Sequence, residues 1–252
     1  MNEPDQFVPT QAALGAAWRD FRGLHYLRHN ARRQEHLASL GLNLQDRSVL
    51  ELGAGIGDHT TYFLDRGCTV TSVEPRPENC QLFGMLMQER AETGYAAAVR
   101  SRILRADAIS FEAMVPETFE VVYCYGLLYH VDDPAAVLAA AARKCRDLLL
   151  LETWVSFGNH EAINPVPEDA AMASQAISAM GCRPTRPWIF NRLKAAFAHV
   201  YMPRTQPAHE EFPLDWTART PSPWPTRAIF IASRRPLDNP LLLDHVPDRQ
   251  ST

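Results

Sequence analysis

Three glycines at alternate positions, Gly53, Gly55 and Gly57, follow a short apolar run that contains Glu51. A helical pattern over residues 58–66 comes directly after them. Because glycine has no side chain, a ligand can approach the backbone closely at such a turn. The N-terminus of the following helix presents N–H groups that have no partner inside the helix. The stretch predicts a strand, a ligand-binding turn and a helix, with the Glu51 carboxylate beside the turn.

A second acidic residue follows at the spacing that nucleoside-binding folds use. Residues 69–73 are predicted to form a second strand, and Glu74 follows at its end, about 20 residues after the glycines. A carboxylate at the end of a second parallel strand is placed to accept hydrogen bonds from both ribose hydroxyls. For the glycines alone, a tight turn without any ligand stays the alternative.

The acidic residue followed by x-Gly-x-Gly-x-Gly resembles the motif of class I S-adenosylmethionine (SAM) methyltransferases. Dinucleotide-binding dehydrogenases also combine a glycine turn with a ribose carboxylate, but their fingerprint has two residues between its last glycines. Here Gly55 and Gly57 are separated by one residue. The resemblance implies an α/β fold: a Rossmann-like seven-stranded sheet with helices on both faces and an antiparallel last hairpin. It also implies SAM as cofactor and S-adenosylhomocysteine as product.

The resemblance assigns cofactor contacts to residues near the ends of the predicted strands. Glu51 would lie near the amino group of the methionine moiety, Glu74 would hold the ribose, and Asp107 would read the adenine. For Asp107, capping of the following helix is the alternative, and the two roles are compatible. The assigned cofactor residues are Glu51, Gly53, Ala54, Gly55, Gly57, His59, Glu74, Pro75, Asp107, Ala108, Tyr125 and Gly126.

The catalytic candidates lie in the loop after the fourth predicted strand, residues 119–124. The string GLLYHVDDP over residues 126–134, followed by a helix and LLLLETWV, is similar to the tRNA wobble-uridine carboxymethyltransferase group and related small methyltransferases. His130 is the candidate general base because the pKa of histidine lies near neutrality. Tyr129 would orient the acceptor. The alternatives are a histidine that only hydrogen-bonds the loop and a tyrosine that only packs. His59 is a second candidate base, with helix capping or cofactor contact as its alternatives.

Several chemistries are disfavoured by what the sequence lacks. No Asn/Asp-Pro-Pro-Tyr motif follows the fourth strand, which disfavours amino-group methylation of bases, and Cys124 ends an apolar strand as a structural thiol would. Asp132 and Asp133 lack an evident third ligand. His25 and His29 share a helix face but have no carboxylate or cysteine nearby in sequence. We therefore predict no metal site.

Two stretches are rich in arginine. The first precedes the glycine turn, and the second lies within residues 170–209, a region without Asp or Glu. Each is interpreted either as a solvated helix face or as a contact for an acceptor that bears phosphate or carboxylate. The residues are Arg19, Arg22, Arg28, Arg32 and Arg33 in the first stretch and Arg183, Arg186, Arg192, Lys194 and Arg204 in the second.

The predicted organisation is an N-terminal helical lid (residues 1–47, beginning with a loose leader), a methyltransferase domain (48–235) and a peripheral tail (236–252). Insertions at about 156–183 and 204–226 would shape the acceptor side. A helix is predicted at 168–180, and the proline-rich linker carries Trp216 and Trp224.

The predicted function is methyl transfer from SAM, directed to an oxygen of a small-molecule or sugar-like acceptor. A tRNA-modifying (carboxy)methyltransferase is the first alternative, but the net charge of -4 does not indicate general affinity for nucleic acid. A non-catalytic SAM-binding partner protein is the second. Five dispersed cysteines without a C-x-x-C pair, the absence of a signal-peptide pattern and the absence of an apolar run of ~20 residues lead us to expect a cytoplasmic protein.

Overall fold

The computed structural model describes residues 9–218 and 225–252. Most of the expected leader, together with Pro221, Pro223 and Trp224 of the expected linker, lies outside the described residues. Within the described ranges, no helix combines the length and the apolar character needed to cross a bilayer.

The secondary structure alternates between strands and helices along most of the chain. The strands are β1 (Ser48–Leu52), β2 (Thr69–Glu74), β3 (Ser101–Arg105), β4 (Phe119–Tyr125), β5 (Cys145–Trp154), β6 (Pro165–Pro167), β7 (Met180–Cys182), β8 (His199–Pro203), β9 (Arg227–Ser233) and β10 (Leu242–Leu243). The helices are α1 (Gln11–Arg22), α2 (Leu24–Ser39), α3 (Thr60–Leu64), α4 (Pro77–Glu92), α5 (Phe111–Met114), α6 (Pro134–Lys144) and α7 (Arg186–Lys194).

The main sheet has eight strands in the order β10-β8-β9-β5-β4-β1-β2-β3. Strands β1 to β5 pair in parallel, whereas β9 runs antiparallel to both β5 and β8. The predicted Rossmann-like sheet and its antiparallel last hairpin are therefore confirmed. The short strand β10 adds an eighth member to the seven that the sequence predicts.

Helices cover both faces of this sheet. Leu149 and Leu151 of β5 pack in one core with α6 and α7, and Leu148 and Leu150 pack in a second core with α3 and α4. Alternate residues of a strand point to opposite faces, so a strand buried on both sides reads as a continuous apolar run. The run of leucines in β5 is the sequence signature of this burial.

Helix α6 fixes the end of the loop that carries the catalytic candidates. Asp133 caps the helix by accepting a hydrogen bond from the backbone N–H of Ala136 at 2.9 Å, and Pro134 occupies the first turn. Both residue types favour a helix start, and the alanines that follow have the highest helix propensity. The start of α6 therefore fixes the C-terminal end of the loop between β4 and α6.

The predicted helix at residues 168–180 is wrong, because this segment forms consecutive turns. Glu168 accepts a hydrogen bond from the backbone N–H of Ala176 at 2.8 Å, and Asp169 accepts one from Ala171 at 2.9 Å. Side chains that bind nearby backbone N–H groups compete with the helical pattern. The β6–β7 pair flanks the segment, and Ala173 packs in one apolar cluster with residues of α1.

The last residues of the chain pack against the loop at 204–218. Strand β10 pairs with β8. The backbone N–H of Trp216 donates to the carbonyl of Asp248 at 2.9 Å, and the Arg186 guanidinium donates to the carbonyl of Pro247 at 2.6 Å. Residues 236–252 thus support one wall of the region that the sequence assigns to the acceptor.

Candidate active site

A cavity of ≈ 280 Å³ lies at the carboxyl ends of β1 to β5. This is the edge at which open α/β sheets bind ligands. The N-terminal helices and residues 173–177 cover it. The predicted site residues that line it are Gly53, Gly55, Glu74, Pro75, Asp107, Ala108, Tyr125, Gly126, Tyr129 and His130.

At the glycine turn, the backbone of the sheet comes into close contact with the helical lid. Gly55 has φ +54°, and a Cβ placed on it would lie 2.8 Å from the Phe21 ring of α1. Gly57 has φ +87°, and its Cβ would lie 2.6 Å from the Phe83 ring of α4. Both glycines are therefore required by backbone conformation and by packing. The lid is seated directly on the turn.

Glu74 joins the end of β2 to the glycine turn. Its Oε2 accepts a hydrogen bond from the Gly55 N–H at 3.0 Å, and its Oε1 accepts hydrogen bonds from the Arg76 N–H and the Asn79 amide. Burial raises the pKa of Glu74, although these hydrogen bonds oppose the shift. Because a carboxylate offers about four acceptor sites, Glu74 keeps capacity for a further hydrogen bond from a ligand hydroxyl.

Glu51 lies on the inner side of the turn. Its carboxylate accepts hydrogen bonds from the hydroxyls of Thr60 at 2.6 Å and Ser72 at 2.7 Å. Burial raises its pKa to about 7. With Ala54 it borders a second, smaller cavity of ≈ 20 Å³ rather than the main one.

His59 borders the same small cavity. Its Nδ1 contacts the Tyr123 hydroxyl, and its Nε2 lies 3.1 Å from Asn30 Oδ1. Burial holds the pKa of His59 well below its usual value. The ring is therefore a neutral, hydrogen-bonded part of the interior, and it does not line the main cavity.

Asp107 lies at the edge of the cavity and caps a turn. Its carboxylate accepts hydrogen bonds from the backbone N–H groups of Ile109 and Ser110 at 2.8 and 2.7 Å, and from the Ser110 hydroxyl at 2.6 Å. The capping alternative is thus present in the structure. Ala108 is buried beside it, and Asp107 stays exposed to the cavity.

Two buried polar atoms on the cofactor side of the cavity are left for a ligand. Within residues 9–218 and 225–252, the Tyr125 hydroxyl and Asn79 Oδ1 are buried without a hydrogen-bond partner. An unsatisfied buried polar group costs ~1–3 kcal/mol, so a bound polar ligand would relieve both. The SAM molecule, with its ribose hydroxyls, amino group and carboxylate, fits a site lined by Glu74, Asn79 and Tyr125.

Sequence analysis missed a buried network of charges on the other side of the cavity. Glu152 of β5 accepts hydrogen bonds from Arg33 of α2 at 2.8 Å and from Arg227 of β9 at 2.9 Å. Arg227 also pairs with Glu211. These four side chains are at most 6% exposed. A buried charge needs an oppositely charged partner. The position of Glu152 at the end of an apolar run therefore indicated that basic partners would be found in the fold.

Tyr129 belongs to this network. Its hydroxyl accepts a hydrogen bond from Arg227 at 3.1 Å. Its ring stacks on that of Trp154 with centroids 4.5 Å apart. Tyr129 is therefore fixed in the cavity wall. These contacts match the alternative from the sequence, in which Tyr129 packs.

His130 forms a hydrogen bond with a carboxylate that sequence analysis did not select. Its Nδ1 lies 2.5 Å from Glu168 Oε2, and Glu168 Oε1 accepts a hydrogen bond from Arg183 at 3.1 Å. Burial lowers the pKa of His130 and outweighs the opposing effect of Glu168. Burial alone would raise the pKa of Glu168, but the hydrogen bonds to its carboxylate bring it below its usual value. The pair is a neutral imidazole beside an ionised carboxylate.

The second arginine stretch does not form an anion pocket. Arg183 pairs with Glu168, and Arg186 lies over the Trp216 ring at 3.8 Å. Arg204 binds the carbonyl of Pro240. These three side chains do not converge on one site, because each interacts with a different partner: a carboxylate, an aromatic ring or a backbone carbonyl. In the first stretch, only Arg33 lines the cavity.

Comparison with known proteins agrees with this architecture. A family profile described as a methyltransferase domain matches residues 24–200. The ubiquinone biosynthesis O-methyltransferase of Pseudomonas fluorescens (strain Pf0-1) is 32% identical over 102 residues, which are 40% of this chain and 41% of that protein. The protein of the same name from Bordetella avium (strain 197N) is 28% identical over 153 residues, covering 58% and 57%. The chain thus spans about half the length of these curated relatives.

Two solved structures share the fold. The N-terminal domain of EvdMO1 with S-adenosylhomocysteine bound has a TM-score of 0.61 at 20% identity, covering 92% of this chain and 100% of that chain. The 1,6-didemethyltoxoflavin-N1-methyltransferase of Burkholderia thailandensis has a TM-score of 0.54 at 20% identity, covering 92% of each chain.

The sheet order, the glycine turn and the carboxylate at the end of β2 define the class I SAM-dependent methyltransferase architecture. Since the family profile extends over most of the chain, the protein belongs to the methyltransferase domain family. The cofactor of this family is SAM.

We predict that Glu74→Ala weakens SAM binding while the fold persists. The loss of a charged hydrogen-bond acceptor costs ~1.5–3 kcal/mol, which is roughly a tenfold to hundredfold loss of affinity. Titration calorimetry with SAM measures it, with Glu92→Ala at the exposed end of the following helix as control. Unchanged affinity in Glu74→Ala would show that this carboxylate does not hold the cofactor.

We predict that Glu152→Gln lowers the free energy of unfolding by ~3–5 kcal/mol, because it leaves two buried guanidinium groups without their shared counter-charge. Urea denaturation measures the loss. Glu112→Gln is the matched control, because its pairing with the exposed Arg143 is worth ~1 kcal/mol or less. Similar losses in the two variants would contradict a special role for the buried network.

Proposed function

We propose that the protein transfers the methyl group of SAM to an oxygen atom of a small-molecule acceptor. The observation that carries this proposal is the His130–Glu168 pair, whose histidine lines the same cavity as the cofactor candidate Glu74. A neutral imidazole beside a methyl-donor site suits removal of a proton from a hydroxyl group.

The division of the cavity supports this assignment. Glu74, Asn79, Asp107 and Tyr125 lie toward β1 to β4, where they would bind the cofactor. Residues of α2, the β4–α6 loop and the end of β5 line the rest of the cavity. When bound, SAM supplies an activated methyl group, so the protein mainly has to position the acceptor and accept its proton.

His130 would accept the proton at Nε2. Because its Nδ1 bonds to Glu168, the carboxylate orients the ring and stabilises the imidazolium that forms. Glu168 is held in turn by Arg183 and by the Ala176 N–H. Tyr129, fixed by Arg227 and Trp154, would form the wall against which the acceptor lies.

The proposed acceptor is small. The whole cavity of ≈ 280 Å³ lies near the lower end of the ~300–1,000 Å³ range of ligand pockets, and the cofactor has to share it. The names of the curated relatives also favour oxygen, because they are O-methyltransferases. The structural neighbours at 20% identity, which include an N1-methyltransferase, bear only on the fold. The paired state of Arg33 and Arg227 gives no added preference for an anionic acceptor.

The acceptor class is tested with SAM that carries a labelled methyl group, the purified protein and cell extract from the source organism. After reaction, the extract is separated into RNA, protein and small-molecule fractions. We expect label in the small-molecule fraction, and a Glu74→Ala control that transfers little. Label confined to RNA would overturn the proposal in favour of the tRNA-modifying alternative.

We predict that His130→Ala lowers kcat by about 10²–10⁴-fold, the usual contribution of a general base, with SAM affinity little changed. Kinetics with the labelled acceptor fraction and calorimetry with SAM separate the two effects. His160→Ala, an exposed histidine in the following insertion, is the control. Full turnover in His130→Ala would leave positioning alone as the mechanism.

The pH profile tests the same pair. Since burial lowers the pKa of His130, the free base is present at neutral pH, and kcat/KM should fall only as the pH drops below ~6.5. Glu168→Gln removes a group that raises this pKa, so the midpoint of the profile should move to lower pH. A midpoint that stays in place would show that His130 is not the titrating base.

A further inference from the structure

A cluster of three histidines and two glutamates lies at the rim of the cavity, on the acceptor side. His25 and His29 come from one face of α2, and His209 comes from the loop at 204–218 together with Glu210 and Glu211. The ring centroid of His209 lies 5.4 Å from that of His25 and 5.1 Å from that of His29. Nothing in the proposed methyl transfer uses this cluster.

From the sequence alone, His25 and His29 are not predicted to be metal ligands, because no carboxylate or cysteine lies near them in the chain. The fold removes that objection. His25 Nε2 lies 2.9 Å from Glu211 Oε1, and His209 Nδ1 lies 3.8 Å from Glu210 Oε2. The missing carboxylates come from a loop that is more than half the chain away.

Two of the imidazoles have unused nitrogen atoms. Among the described residues, His29 Nε2 and His209 Nε2 are buried without a hydrogen-bond partner. The His209 side chain is 0% exposed, and that of His29 is 5% exposed. Buried polar atoms without partners are rare in folded proteins and call for a ligand or a water molecule. The His29 ring also stacks on Phe212 of the loop that carries His209.

The spacing of the ligand atoms suits a small cation. One ligand atom each from His25, His209 and Glu210 lies within 4.8 Å of the others. Bonds of ~2.0–2.1 Å in a tetrahedral zinc site place ligand atoms ~3.3–3.4 Å apart, so a pair at the 4.8 Å limit has to approach by roughly 1.4 Å. The side chains of His25 and Glu210 are 56% and 29% exposed, which leaves them free to make this adjustment.

The surrounding charges allow a cation. Glu211 pairs with Arg227, and Glu210 pairs with Arg28 at the surface. The Arg28–Glu210 pair is solvent-exposed and therefore worth only ~0–1 kcal/mol, so Glu210 can exchange it for an ion. Glu211 also contacts His25, and such a carboxylate orients the ring of a ligating histidine.

We propose that His25, His209 and Glu210 bind a divalent first-row transition-metal ion at the rim of the cavity. Imidazole and carboxylate ligands suit Zn²⁺ and Co²⁺, whereas Mg²⁺ and Ca²⁺ prefer sites made of oxygen ligands only. Three protein ligands leave coordination positions open, as in catalytic rather than structural zinc sites. An ion there would also join α2 of the lid to the loop at 204–218.

The test is titration calorimetry of the full chain, without an affinity tag, with Zn²⁺ after chelator treatment. The visible absorption of bound Co²⁺ gives a second readout. We expect one saturable site, with affinity reduced about tenfold or more in His25→Ala and in Glu210→Gln. Both side chains are partly exposed, so these variants should fold, which circular dichroism verifies. Arg28→Gln should bind at least as tightly as the unchanged protein, because the competing cation is gone.

The matched control is His245→Ala, which removes an exposed histidine outside the cluster. It should bind Zn²⁺ like the unchanged protein. The proposal is overturned by the absence of saturable binding, by equal affinity in His25→Ala and Glu210→Gln, or by an equal loss in His245→Ala. Weaker binding in Arg28→Gln would contradict it too. None of these outcomes depends on the identity of the methyl acceptor.

Discussion

The buried carboxylate of Glu152 is the constraint on which the acceptor side of the protein depends. It lies inside β5 and binds Arg33 of the lid and Arg227 of β9. A buried charge costs several kcal/mol unless a partner and hydrogen bonds compensate for it. The two guanidinium groups therefore have to come to Glu152, and each brings its own element. Arg33 fixes α2 over the cavity, and Arg227 links the network to Glu211 and Tyr129.

The cofactor side is organised by a different kind of contact. There the contacts involve the backbone: Glu74 accepts a hydrogen bond from the Gly55 N–H, and Gly55 lies against the Phe21 ring of the lid. The first of these contacts joins two neighbouring strands through the turn, between residues 19 positions apart in the chain, and only the Phe21 contact depends on the N-terminal lid. One cavity is thus formed by a locally determined half and by a half that depends on elements from both ends of the chain.

The local half is the part that sequence reasoning predicted well. Apolar runs and glycine spacing indicate β1, β2 and the turn, because strand burial and positive φ leave direct marks on residue type. The prediction of a helix at residues 168–180, which was based on composition, is wrong. An alanine- and methionine-rich segment favours a helix, but the side chains of Glu168 and Asp169 bind backbone N–H groups and stabilise turns instead. Likewise, nothing in the sequence around His59 distinguishes a buried structural histidine from one that contacts a ligand.

The sequence by itself determined the class of fold, the succession of strands β1 to β5 along the chain and the position of the glycine turn, since each strand and the turn are marked by residues close together in the chain. Only the tertiary structure decided what the arginines and histidines contact. Arg33 and Arg227 share one carboxylate, Glu168 meets His130, and His209 meets His25, although their sequence separations are large. Charge pairing acts through space and leaves no periodic pattern, so these partners become visible only when the sheet has brought the ends of its strands together.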